Sequence, residues 1–64
     1  MDSFHELADE VSRIEGRVAD AIFDSVRAQL RSSDDVAAKE LERRLAKVRR
    51  SLQKAEALLR GADA

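Results

Sequence analysis

Leu30-Arg31-Ser32-Ser33-Asp34-Asp35-Val36-Ala37 is the stretch on which the fold of this chain turns. On either side lies an amphipathic helical pattern of nearly equal length, from about Phe4 to Arg31 and from about Val36 to Arg60. Ser32-Ser33-Asp34-Asp35 offers N-cap side chains for a new helix and places acids where the helix macrodipole favours them. It contains neither glycine nor proline, and the apolar stripe runs on almost in phase through Val26, Leu30, Asp34, Ala37 and Leu41. Two folds therefore compete. One is an all-α helical hairpin hinged at residues 32–35. The other is one unbroken helix with Asp34 as a lone polar core position, roughly 85 Å long at 1.5 Å per residue. The hairpin is the favoured reading, since a rod of that length is extended for so few residues.

Working outward, Ser3-Phe4-His5-Glu6 fits a capping box at the start of the first helix. Apolar residues follow at Phe4, Leu7, Val11, Ile14, Val18, Ile22, Val26 and Leu30, seven intervals over 26 residues. That mean spacing, slightly above the helical repeat, predicts a stripe that drifts around the helix rather than a strict heptad. Ala8, Ser12, Gly16, Ala19 and Phe23 form a second ridge beside it. The combined face is broad, as a bundle core requires. Gly16 costs roughly 1 kcal/mol against alanine inside a helix, unless another backbone needs the room. Phe4 is expected in the core, and Phe23 either there or as an anchor in a partner's groove.

The second helix reads more simply. Leu41, Leu45, Val48, Leu52, Ala55 and Leu59 follow 4-3-4-3-4 spacing, the a/d seam of a coiled coil. Gly61 after Arg60 is a natural C′ residue. Glu40–Arg44 and Glu56–Arg60 are i,i+4 pairs of favourable orientation. Through Arg31 the chain holds seven acids and four bases; from Lys39 to Arg60 it holds eight bases and three acids. Two helices of opposite net charge attract when they lie side by side, which guides pairing more than it stabilises.

Sixty-four residues make one small domain near the limit of independent stability. Chains of this size rely on disulfides, a metal or oligomerisation. With no cysteine and only His5, the first two are excluded and self-association or a helical protein partner is the expectation. Net charge of −1 and regular apolar spacing argue against disorder. No apolar run exceeds three residues, Ala21-Ile22-Phe23 being one of them, which is far too short to span a membrane, and acidic Met1-Asp2-Ser3 does not resemble a secretory signal. A cytoplasmic protein is the simplest expectation. Nine arginines against three lysines, with eleven alanines, suggest a GC-rich bacterial genome.

Nothing here carries chemistry. His5, Glu6 and Asp9 are too few and too loosely held for a metal site. Adjacent carboxylates such as Asp9-Glu10 and Asp34-Asp35 diverge by about 100° on a helix and serve solvation and capping. The serines lack a base companion, so no enzyme activity and no cofactor are expected. Lys39, Arg43, Lys47, Arg50 and Lys54 form a cationic ridge about 22 Å long by helix rise, opposite the leucine seam. It can track nucleic-acid phosphates or an acidic partner, but no aromatic residue interleaves it to stack on bases.

In length and organisation the chain resembles two groups of small helical hairpins. One is the plasmid copy-number regulators that dimerise into an antiparallel four-helix bundle and bind paired RNA loops. The other is the small co-chaperones of type III secretion, which cradle a needle subunit and tend to carry glycine at the turn, as this chain does not. The spacing Leu41-x₃-Leu45-x₂-Val48-x₃-Leu52 is common to any heptad, so the resemblance is one of architecture and does not transfer a function. The expected role is a non-enzymatic interaction module (adaptor, co-chaperone or assembly subunit) that completes a four-helix bundle or coiled coil, usually as a dimer. Its association residues are Val11, Ile14, Val18, Ile22 and Phe23 on the first helix and Leu41, Leu45, Val48, Leu52 and Leu59 on the second. A dimeric RNA-binding regulator using the Lys39-to-Lys54 ridge is the alternative, and a segment that only dimerises something else is a third possibility.

Overall fold

The computed structural model describes residues 3–61, so the reading of Met1 and Asp2 lies outside the described residues. Two helices, α1 (Ser3–Arg31) and α2 (Val36–Leu59), pack against each other as a hairpin measuring 49 × 19 × 12 Å. The chain reverses where the hinge was expected, which rules out the single long rod. Asp35 is the N-cap of α2, its side chain accepting from the Ala38 N–H at 2.9 Å. The turn closes through Ser32 N–H to the Ala28 carbonyl at 3.0 Å and Asp35 N–H to the Ser32 carbonyl at 3.1 Å. No non-glycine residue described has positive φ, so this reversal needs no glycine. Gly61 ends α2 at φ 87°, the left-handed conformation that a side chain would oppose. At the other end Ser3 is already helical, one residue earlier than the capping box placed it.

The seam between the helices differs from the sequence expectation in an instructive way. On α1 a run of shielded positions steps through Ala8, Val11, Glu15, Val18, Ile22, Ser25 and Gln29, alternately three and four apart, with half-buried Ala19, Ala21, Val26 and Ala28 flanking it. On α2 they are Ala38, Glu42, Leu45, Leu52, Glu56 and Leu59, with exposed Arg49 completing the repeat. Both are strict heptads. The drifting apolar stripe of α1 is therefore not the seam. It misses Glu15, Ser25 and Gln29, which occupy seam positions as polar residues, and it includes Leu7, Ile14 and Leu30, which point elsewhere. Phe4, expected in the core, is likewise exposed.

Packing within the hairpin is correspondingly thin. Among the described residues only Ala8 and Ala38 are buried apolar residues, and no large side chain is fully enclosed. Small residues at these two positions bring the backbones close, but they remove little apolar surface from water. The large apolar side chains are mostly still half in solvent.

Candidate docking groove

One position outside the seam, α1 carries Leu7, Ile14, Ala21 and Ala28 at seven-residue steps, and α2 carries Leu41, Val48 and Ala55. In an antiparallel pair these two rows border the same side of the seam. Two adjoining depressions lie along this side, and in one of them the rows meet. Ile14, Arg17, Val18, Ala21 and Leu45 line one. Ala21, Asp24, Ser25, Ala28, Ala38 and Leu41 line the other. Ala21 belongs to both, so they form one shallow groove along the hairpin. Ile14 is 46%, Leu41 48% and Val48 40% exposed, although each has apolar neighbours on this side. The corresponding rows on the opposite side are Ser12, Ala19 and Val26 on α1 and Lys39, Ala46 and Gln53 on α2. That side is smaller and more polar. The apolar groove is thus confined to one side of the molecule.

Polar contacts hold the hairpin in register beneath it. Gln29 Nε2 donates to Glu42 Oε1 at 2.6 Å near the hinge. Arg60 reaches from α2 to Asp9 of α1 at 3.0 Å while also pairing with Glu56 at 2.9 Å. The expected Glu56–Arg60 pair thus forms, whereas Glu40 sits 4.0 Å from Arg43 rather than pairing with Arg44. Ser25, buried in the seam, returns its hydroxyl to the Ala21 carbonyl at 3.1 Å. Glu15 is less well served: its Oε1 is shielded and accepts no hydrogen bond. Desolvation, with the nearby Glu56 carboxylate adding to it, holds the Glu15 carboxyl above its usual range, against the pull of Arg49 and Arg60. Arg60, hydrogen-bonded to Asp9 and Glu56, is held more firmly protonated than a free arginine.

The association residues expected from sequence separate into three places. Val11, Val18, Ile22, Leu45, Leu52 and Leu59 are half-buried along the hairpin's own seam, with Val18 and Leu45 also lining the groove. Ile14 and Leu41 line the groove half exposed, while Val48, 40% exposed, shares the heptad row of Leu41 but lines neither depression. Phe23 is 59% exposed elsewhere on α1, its ring covered by the Arg27 guanidinium at 4.8 Å from the centroid. What reads as one leucine seam in α2 is divided between an inner and an outer surface. Sequence reasoning missed the small residues Ala21 and Ala28 and the charges Arg17 and Asp24 at the groove's edge. The seven-residue recurrence of Leu7, Ile14, Ala21 and Ala28 was the signal that marked the row.

Lys39, Arg43, Lys47, Arg50 and Lys54 are all exposed. Gly16 has open space where a Cβ would stand, so no backbone of the hairpin approaches it. Among the described residues there is no cluster of three or more metal-binding side chains, and no helix is long and apolar enough to cross a membrane. No family model matches the chain, and neither a curated protein nor a solved structure shows significant similarity to it.

Proposed function

We propose that this protein is a non-enzymatic helix-docking module, an adaptor, co-chaperone or assembly subunit of the cytoplasm, whose working surface is the groove between α1 and α2. One observation carries the reading. The hairpin encloses polar residues along its own seam while leaving Ile14, Leu41 and Val48 between 40% and 48% exposed on a single side. A two-helix unit with so small a core is marginal alone and gains most by covering that side with further helices. Shallow-angle packing of side chains into the groove is the geometry such helices adopt.

Leu41→Asp and Val48→Asp test this, because both side chains are already half in water and neither is needed to close the hairpin seam. Far-UV circular dichroism should show retained helix, while sedimentation equilibrium or partner capture should show loss of association. Association that survives both substitutions would refute the groove. The exposed cationic ridge keeps nucleic-acid binding as a second reading. Replacing Arg43, Lys47 and Arg50 with glutamine leaves docking intact under the first reading. Under the second it abolishes RNA binding and flattens its salt dependence.

A further inference from the structure

Resting on the groove reading, we infer that the groove's occupant is a second copy of this chain, laid face to face across a two-fold axis that crosses α1 at Ala21 and α2 at Val48. The axis runs perpendicular to the helices, so α1 lies antiparallel on its counterpart and α2 on its own.

Charge along the groove's rim points to this arrangement. Glu10, Arg17, Asp24 and Arg31 recur every seven residues beside the Leu7-to-Ala28 row, alternating in sign. Arg17 lines one half of the groove and Asp24 the other, either side of shared Ala21. Rotation about Ala21 brings Arg17 onto the second copy's Asp24 and Glu10 onto its Arg31, so all four rim charges meet opposite charges at once. Within the chain Asp24 has only a 4.0 Å contact with Arg27, both largely exposed.

Size complementarity agrees independently. The Asp9–Arg60 and Gln29–Glu42 contacts fix the antiparallel register and bring Ala21 to within about half a turn of Val48 along the hairpin. The same axis then places Ile14 against the second copy's Ala28 and Leu41 against its Ala55. Large residues meet small ones, and the two alanines at the axis allow close approach of α1 to α1. The alternative stacking, α1 over α2 of the second copy, pairs Asp24 with Arg44 but leaves Glu10, Arg17 and Arg31 without partners. The whole 49 × 19 Å face sets a ceiling of about 900 Å² per protomer, enough to accommodate the roughly 800 Å² per partner of a standard specific interface.

The chain has no cysteine, so single cysteines report the axis directly. Under mild oxidation A21C should give a disulfide-linked dimer, with F23C at least tenfold slower. Arg17→Asp or Asp24→Arg alone should weaken the dimer about tenfold or more by setting like charges together on both sides of the axis. The double swap should restore it to near the wild-type value. Arg17 and Asp24 are seven residues apart on one helix and do not pair with each other within the chain, so rescue reports contact between chains. A dimer in which A21C crosslinks only to V48C in a mixed sample overturns the axis, as does a double swap that fails to rescue. A wild-type chain that remains monomeric across a hundredfold concentration range overturns the second copy as occupant. The groove reading fails separately, when Leu41→Asp and Val48→Asp leave association unchanged.

Discussion

Leu41→Ala offers a quantitative check on where this molecule keeps its apolar surface. Full burial of a leucine side chain contributes about 1.5–3 kcal/mol. Leu41 is 48% exposed in the hairpin, so about half of that, roughly 1 kcal/mol, is gained only when the groove is covered. A two-fold dimer contains two copies, giving about 2 kcal/mol, or about thirtyfold in the dimer dissociation constant. Sedimentation equilibrium of wild type and variant over the same concentration range measures that ratio. Leu30→Ala is the matched control, because Leu30 is 82% exposed beside the hinge and belongs to neither of the rows that border the groove. Its dissociation constant should stay within about twofold of wild type. Equal effects of the two substitutions, or an unchanged constant for Leu41→Ala, would refute the assignment of the groove as the association surface.

Three further outcomes follow from individual residues. Glu15→Gln should raise the melting temperature at neutral pH. Its folded-state carboxyl is held above the usual range by desolvation and Glu56, against Arg49 and Arg60, so the native state binds the proton more tightly. Wild type therefore loses stability as pH rises from the unfolded value through the raised folded one, and the variant's advantage should vanish below that window. Thermal melts at fixed chain concentration across pH 3–8 test the sign, and a variant less stable than wild type at pH 7 would contradict it. Gly16→Ala should stabilise the helix by about 0.5–1 kcal/mol, since a Cβ meets open space there; a loss on urea titration would mean that something packs on Gly16 in the assembled protein. Asp35→Ala should cost about 1 kcal/mol by removing the cap on the Ala38 N–H, and an unchanged urea midpoint would show that the turn holds without it.

The elements that local chemistry controls were legible from the residues themselves. The hinge showed as the N-capping stretch Ser32-Ser33-Asp34-Asp35, of which Asp35 proves to cap α2, although the stretch alone left a continuous helix open; the end of α2 showed through Gly61, whose positive φ few other residues accept. The facing of α1 was not legible, for a physical reason. A search for apolar periodicity assumes that the seam is apolar, and here Glu15, Ser25 and Gln29 hold seam positions. Ser25 fits because its hydroxyl bonds back to the Ala21 carbonyl, and Gln29 because it meets Glu42 across the hairpin. Neither contact shows in the spacing of one helix alone. The same substitution of polar for apolar displaced Ile14 and Leu7 outward and made the groove.

That inversion has a consequence for how the chain behaves as a folding unit. The α1–α2 seam contains charged and amide groups that lose hydration when the helices close, and the Glu15–Glu56 contact opposes closure at neutral pH. What the seam provides instead is direction. Gln29 with Glu42 at one end and Asp9 with Arg60 at the other satisfy each other in only one antiparallel register, and sliding by one turn separates both pairs. The seam keeps Val11, Val18, Ile22, Leu45, Leu52 and Leu59 partly shielded, and the apolar surface still open includes Ile14, Leu41 and Val48. A hairpin built this way uses polar contacts to choose its alignment, and under the proposed docking it would gain further apolar burial when the groove is covered, linking folding and association by mass action. The register set inside the hairpin also decides which residues of α2 lie beside Ala21, so errors in the polar contacts would propagate directly into the groove proposed to take another helix.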